Sequence, residues 1–252
     1  MNTNLQQHER RDRVNDNLTL IQHSEGLTFG TDALLLAAYI NRGAKARALE
    51  LGGGTGIISL LLSTRHKVAS VECVEIQPTF AEIIQRNVAE NHLAEMVTVS
   101  QADIRDYDAY GNGDFDIVFS NPPYMKNDCP PCEAEEKQIA RHEVFGGIED
   151  FAKAAARKLK WGGRFFVVWR PDRLSELLCA MTKHGIEPKR MTFVQANPAL
   201  APSIVLVEGK RGGKPGMKVT APLMIGGDLD ERQDSPDMCY ILEKGCFPKK
   251  YE

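Results

Sequence analysis

Glu50-Leu51-Gly52-Gly53-Gly54-Thr55-Gly56 joins the apolar run Ala46 to Leu51 to a second apolar run, Ile57 to Thr64. A buried strand, a glycine turn and a helix in that order form the opening unit of a Rossmann-type α/β sheet. Glycines at 52, 54 and 56 remove the Cβ atoms that would hold a bound nucleoside away from the backbone. The spacing is G-x-G-x-G with Glu50 just ahead, not the G-x-G-x-x-G of dinucleotide binding, so a pyrophosphate is not the expected ligand.

Downstream, three further strand signals each end on a group able to meet a ligand. Residues Ala69 to Ile76 form a second strand whose last acid, Glu75, lies 19 positions after Gly56, near the spacing at which a carboxylate meets ribose hydroxyls. Pro78 then opens an amphipathic helix with Phe80, Ile83, Ile84 and Val88 on its core face. Met96 to Gln101 is a third strand ending in Ala102-Asp103; the aspartate suits either an adenine amino group or a helix N-cap. Asp114 to Ser120, the fourth strand, stops abruptly at Asn121-Pro122-Pro123-Tyr124. That ending offers an amide side chain and a proline carbonyl, both with free acceptors, beside an aromatic ring. Methylating a conjugated amino nitrogen requires its lone pair to leave the π system, which two acceptors on its hydrogens favour. Strand termination and packing are the plain alternative for the same four residues.

Ahead of the glycine loop, residues 1–17 are polar and aperiodic and read as a flexible arm, followed by a short strand at Leu18 to Gln22. Gly30-Thr31-Asp32 supplies caps for a helix over Ala33 to Asn41, with Thr31 or Asp32 also placed to touch a ligand. Beyond Tyr124, the charged stretch Met125 to Gly147 reads as a lid in which Arg141 and His142 contact substrate. It contains Cys129-Pro130-Pro131-Cys132, which is two zinc ligands of four, so no metal is expected. A helix over Asp150 to Trp161, stopped by Gly162-Gly163, leads to a strand at Arg164 to Trp169 and a helix at Pro171 to His184. Strands at Lys189 to Ala196 and Pro202 to Glu208 pair antiparallel. Gly209 to Lys218 reads as a loop, with Lys210 and Arg211 contacting phosphate or simply solvated. The division expected is an arm (1–17), one α/β domain (18–226) and a tail (227–252).

At 252 residues and 28.0 kDa, 42% hydrophobic, the chain supports one large domain. It has no bilayer-length apolar run and no signal-peptide pattern, which points to the cytoplasm, away from membranes. The six cysteines are scattered, as expected of reduced thiols, and nothing points to an obligate protein partner. The net charge is −3, yet Arg157 to Lys218 holds 13 Lys+Arg against 4 Asp+Glu. A basic C-terminal half on an acidic chain suits RNA or DNA.

Glu50 to Gly56, Glu75, Asp103 and Asn121 to Tyr124 together resemble the class I S-adenosylmethionine-dependent methyltransferases, in the branch that modifies amino nitrogens. That resemblance implies a seven-stranded Rossmann-like sheet of order 3-2-1-4-5-7-6, strand 7 antiparallel, with helices on both faces. Gly26 to Leu35, Ser120 to Tyr124 and Ala140-Arg141-His142-Glu143 further resemble the bacterial tRNA-valine adenine-N6 methyltransferase family. By that likeness S-adenosylmethionine is the cofactor. Thr31 would meet its methionine carboxylate, Glu50 with Gly52, Gly54 and Gly56 the methionyl part, Glu75 the ribose, Ile76 the adenine face and Asp103 the adenine amino group. Asn121 and the carbonyl of Pro122 would hold the target N6, with Tyr124 stacked on a flipped adenine of tRNA beside the anticodon. Cys129 and Cys132 depart from that family's pattern. Rival expectations are a protein glutamine-N5 methyltransferase, a DNA adenine methyltransferase, and a non-catalytic RNA-binding protein that keeps the fold.

Overall fold

The computed structural model describes residues 5–6, 8–24, 29–41, 43–123, 146–227 and 233–252. Strands β1 (Glu9–Asn15) and β2 (Leu18–His23) form an antiparallel hairpin ahead of helix α1 (Thr31–Tyr39). The glycine loop connects β3 (Arg47–Leu51) to α2 (Ile57–Thr64), and β4 (Ser70–Glu75), α3 (Pro78–Glu90), β5 (Val97–Gln101) and β6 (Phe115–Ser120) follow. Then come α4 (Ile148–Lys158), β7 (Leu159–Trp169), α5 (Leu174–Lys183), β8 (Ile186–Gln195), β9 (Ile204–Arg211), the two-residue strands β10 (Lys218–Val219) and β11 (Leu223–Met224), and α6 (Pro236–Lys244).

Counted from β3 as strand 1, the sheet runs 3-2-1-4-5-7-6, with β10 and β11 added along the outer edge of β8. The first five of these strands are parallel, and β9 lies antiparallel to both β7 and β8. Alternate side chains divide between two cores, as strand geometry requires. Phe165, Val167 and Trp169 of β7 face α4 and α5, whereas Phe166 and Val168 face the layer containing α1 and α2. Because parallel strands end together, Leu51, Glu75 and Ser120 arrive at one edge. Among the described residues no helix is long and apolar enough to cross a membrane.

Four features differ from the sequence-based expectation. Residues 9–15 form β1, because α3 supplies partners for its charges: buried Glu9 takes a two-pronged bond from Arg86 (2.6 and 2.7 Å), and Arg11 pairs with Glu90 at 3.1 Å. The far edge of β2 is closed by two asparagine amides one helical turn apart on α3. Asn87 bonds both backbone groups of Ile21 (2.6 and 2.9 Å), and Asn91 both groups of Thr19 (2.9 and 2.7 Å). The segment after Gly226 is likewise integrated. Tyr251 is buried, edge-on to Phe247, and its carbonyl accepts from Arg190 at 3.0 Å. Helix α4 ends at Lys158, ahead of Gly162, and β7 begins at once with buried Leu159. Finally, Lys210 and Arg211 lie in a strand, β9.

The end of α4 is set by Lys158, whose ammonium turns inward. It donates to the carbonyls of Tyr107 (2.6 Å) and Tyr110 (2.5 Å) and to that of Gly111, and lies 4.4 Å from the Tyr110 ring centre. One cation thus satisfies three carbonyls in the connection before β6. Hydrogen bonds to a charged group each contribute about 1.5–3 kcal/mol, and their loss strands the carbonyls. Lys158→Met is therefore expected to destabilise the chain by roughly 2–3 kcal/mol in urea unfolding; an unchanged midpoint would show that water replaces the ammonium at no cost.

Candidate active site at the carboxyl edge of the sheet

The β3–β6 ladder runs in register as far as Glu50 and Phe119. One residue further on, the Ser120 hydroxyl donates to the Leu51 carbonyl at 2.6 Å, tying the glycine loop to the Asn-Pro-Pro segment where their strands leave the sheet. The loop then folds over the end of β4: the amides of Gly52 and Gly53 both donate to the Val74 carbonyl (2.9 and 3.1 Å). Gly53, absent from the expected G-x-G-x-G set, sits closest to its neighbours; a Cβ there would come within 2.2 Å of Cys73 Sγ and 2.9 Å of Ile84 Cδ1. Gly56 caps α2 in the left-handed region at φ 80°. Spacing marked the loop, but the tightest position follows from the side chains of β4 and α3.

Two carboxylates hold this turn from beneath. Glu75 is buried, and its two oxygens accept from the amides of Gly54 and Gln77, each at 2.9 Å. Burial raises its pKa, and those backbone N–H groups oppose the rise. Glu50 lies deeper: one oxygen accepts from the Ser59 hydroxyl, from the Ser59 amide at 3.3 Å in the first turn of α2, and from Cys73 Sγ at 3.4 Å. Loss of solvent pushes Glu50 up to about 7, against the lowering effect of those donors.

Over the loop opens a cavity of about 480 Å³ lined by Thr31, Glu50, Gly52, Gly54, Asn121 and Pro122 among others. Asp32 completes the arrangement. The N-cap of α1 is Gly30, which makes no side-chain cap, so the capping expected of Thr31 or Asp32 is replaced by a different contact. Asp32 accepts from the amide of Ala33 with one oxygen (2.9 Å) and from the Asn121 Nδ2 group with the other (3.0 Å). A carboxylate accepts and does not donate, so it fixes the Asn121 amide with its NH2 toward Asp32. The opposite atom, Asn121 Oδ1, is buried and has no hydrogen-bond partner among the described residues. An unpaired buried acceptor beside a cavity is costly unless a donor arrives with the ligand.

The remaining expected residues are distributed unevenly. Glu75, Ile76 and Asp103 lie at or just beyond the ends of β4 and β5 and do not line this cavity. Asp103 is held by Arg105 through Nε (2.9 and 3.0 Å) and Nη2 (2.5 Å), which keeps its carboxyl below the ordinary range. Lys210 and Arg211 pair with Arg164 and Ile186, at the opposite edge of the sheet from Asn121. Tyr124, Arg141, His142, Cys129 and Cys132 lie outside the described residues. The cavity also takes Ser203 and Ile204 from the start of β9 and Ile225 from just after β11, positions with no sequence signal of their own. Much of the basic C-terminal half is spent internally: Arg164 and Arg190 pair with buried Glu208, and Lys160 with Asp116.

A Rossmann-like sheet in this strand order, a glycine loop without a diphosphate fingerprint, and an acceptor held over the cavity define a protein of the class I methyltransferase type. Its solved neighbours have the same fold. A predicted O-methyltransferase from Agrobacterium tumefaciens superposes with TM-score 0.68 at 22% identity, over 86% of this chain and 98% of that one. A methyltransferase from Pyrococcus furiosus superposes with TM-score 0.59 at 19% identity, over 79% and 91%. Residues 23–183 match the family described as Methyltransferase small domain, and the chain belongs to that family. A curated relative from Phocaeicola vulgatus, 33% identical over 72% of this chain and 76% of its own, is named tRNA1(Val) (adenine(37)-N6)-methyltransferase. Relatives of the same name from Porphyromonas gingivalis (31%, over 71% and 72%) and Haemophilus influenzae (28%, over 69% and 80%) are also similar.

The buried Glu50 has a consequence for pH. Its folded pKa of about 7 stands above the ordinary 4.5, so the folded chain binds a proton that the unfolded chain has released between those values. The resulting stability is fully present below pH 4.5 and is lost as pH rises through 7, amounting to about 3 kcal/mol at 1.36 kcal/mol per unit. Urea unfolding of wild type and Glu50→Gln at pH 5 and pH 8 is expected to show a steeper decline in the wild type; parallel profiles would mean that Glu50 is charged throughout.

Proposed function

We propose that this chain is an S-adenosylmethionine-dependent methyltransferase that modifies the N6 amino group of an adenine in tRNA, beside the anticodon, in the cytoplasm. The observation that carries this reading is the buried, unpartnered Asn121 Oδ1 at the cavity, its amide fixed by Asp32. A site that presents an acceptor and withholds its donor suits a ligand bearing N–H. The names of the Phocaeicola and Porphyromonas relatives support adenine N6 as that group and tRNA as its carrier.

The residues present fit the cofactor. The cavity lies within the range of small-molecule sites, and Gly52, Gly53 and Gly54 line it with backbone alone. When bound, S-adenosylmethionine supplies a methyl group on a sulfonium, already an activated donor. Thr31 and Glu50, which line the cavity, would hold its carboxylate end and methionyl part; Glu75, through the lone pairs left after Gly54 and Gln77, and Ile76 and Asp103, outside that lining at the neighbouring ends of β4 and β5, would hold its ribose and base. The chain's own chemical work is then positioning and electrostatic. Asn121 Oδ1 and the Pro122 carbonyl accept the two N–H bonds of the target amine, drawing its lone pair out of conjugation. Tyr124, next in the chain, would stack on the base.

The deciding measurement is transfer of a labelled methyl group to bulk tRNA, rRNA, duplex DNA and total protein, followed by digestion of the product. Label is expected as N6-methyladenosine in tRNA; label on glutamine would assign the site to protein instead. Asn121→Ala is expected to lower kcat at least 100-fold, in the range for removing one oriented stabilising group, with cofactor affinity unchanged. Asp32→Ala should lower kcat less, by roughly tenfold, because the amide then loses its orientation but keeps its acceptor. Near-wild-type turnover by Asn121→Ala would overturn the assignment.

A further inference from the structure

The edge of the sheet opposite the cavity carries an exposed tryptophan among lysines. Trp161 is 78% exposed, although it stands in β7 beside a fully buried stretch. Its indole lies over the backbone of Gly212, where a Cβ would come within 2.2 Å of the ring. Gly212 opens the connection to β10, in which Lys214, Met217 and Val219 are exposed. Lys189 pins that connection by donating to the carbonyls of Lys214 (3.0 Å) and Gly216 (2.5 Å). Lys210 and Lys214 make no ion pair among the described residues, and Glu187 stands across the ladder from Lys210. From this patch β10 and β11 run parallel to β8 along the sheet edge, and Ile225, just past β11, lines the cavity. The sheet edge therefore leads from the patch toward the cavity, over a span of roughly 25 Å at about 3.3 Å per residue.

We propose that this edge is a docking surface for the body of the RNA substrate, with Trp161 stacking on an unpaired base and Lys189, Lys210 and Lys214 contacting its phosphates. Charge complementarity favours RNA: Lys210 and Lys214, without an ion-pair partner among the described residues, and Lys189, bonded only to neutral carbonyls, flank a flat apolar face, the combination that binds single-stranded or looped nucleic acid. Hydrophobic residues alone would fit a protein partner, but three residues of this patch, Lys189, Lys210 and Lys214, are lysines, and a polyanion meets them without leaving charge unpaired. This inference rests on the RNA reading of the cavity and assigns the second contact that such a substrate needs.

The test is direct binding of bulk tRNA to the full chain, which requires no turnover. Of the two tryptophans, Trp169 is fully buried, so quenching of the exposed emission reports Trp161. Quenching on addition of tRNA is expected. Trp161→Ala should weaken tRNA binding about tenfold, within the range for one base stack. Lys210→Ala/Lys214→Ala should weaken it and make log K against log salt shallower by about 1.5, at roughly 0.7–0.9 per charge. Methyl transfer to a short adenine oligonucleotide that reaches only the cavity should be unchanged in all variants, which also shows that they are folded. Wild-type affinity and salt slope in both variants, with unquenched emission, would overturn the surface. Failure of methyl transfer to any RNA, with the binding results intact, would instead fault the reading of the cavity.

Discussion

The Ser120 hydroxyl bonded to the Leu51 carbonyl is the contact on which the candidate site depends. Backbone pairing between β3 and β6 ends one residue earlier, and both chains must diverge to make room for a ligand. A buried carbonyl cannot be left unpaired there without a penalty of about 1–3 kcal/mol. Ser120 continues the ladder with a side chain, so the two motifs separate from a fixed point. The glycine loop turns toward β4, Asn121 turns toward α1, and the cavity is the space between them.

The carboxylates around that space show how burial and partners divide the work. Glu50 and Glu75 are both desolvated, yet each faces donors that do not move: amides of the loop and of helix first turns. Preorganised N–H groups partly offset burial and hold both carboxylates in place without reorganisation. Asp103 is set differently. It is more exposed and tightly paired with Arg105, so it remains charged at the cost of sharing its lone pairs with a guanidinium. Asp32 spends one oxygen on its own helix and one on Asn121, and the second bond turns a rotatable amide into a fixed acceptor.

What could be read from the sequence was local. Leu49, Leu51 and the glycines encode a strand and a turn within ten residues, and helix α2 follows as expected over Ile57–Thr64. Pairings across long separations left no such mark. Asp32 and Asn121 are 89 residues apart, and at Asp32 the signal for helix capping masked the role the structure gives it. Glu9-Arg10-Arg11-Asp12-Arg13 carries no strand signal because the ion pairs that fasten it to the fold, Glu9–Arg86 and Arg11–Glu90, reach across to α3, whereas Arg10–Asp12 and Arg13–Asp16 stay local. Lys158 counted toward a basic surface, yet its charge is turned into the fold. Composition registers the number of charges, and only packing decides which of them meet solvent.

The hairpin shows how far that packing reaches. Asn87 of α3 is fully buried, and its side-chain NH2 donates both to Ile21 of β2 and to Thr55 of the glycine loop, at 2.9 and 3.1 Å. One amide thus spans three segments that are remote in sequence. Its oxygen is committed to the Ile21 amide, so rotation about the terminal bond would break all three contacts at once. Gln22, next along β2, accepts from the Phe29 amide at 3.4 Å, in the approach to Thr31 and Asp32. The N-terminal hairpin is therefore a brace: it holds the glycine loop from one side and the entry to α1 from the other, and those two elements carry the glycine lining of the cavity and the residue that fixes its acceptor.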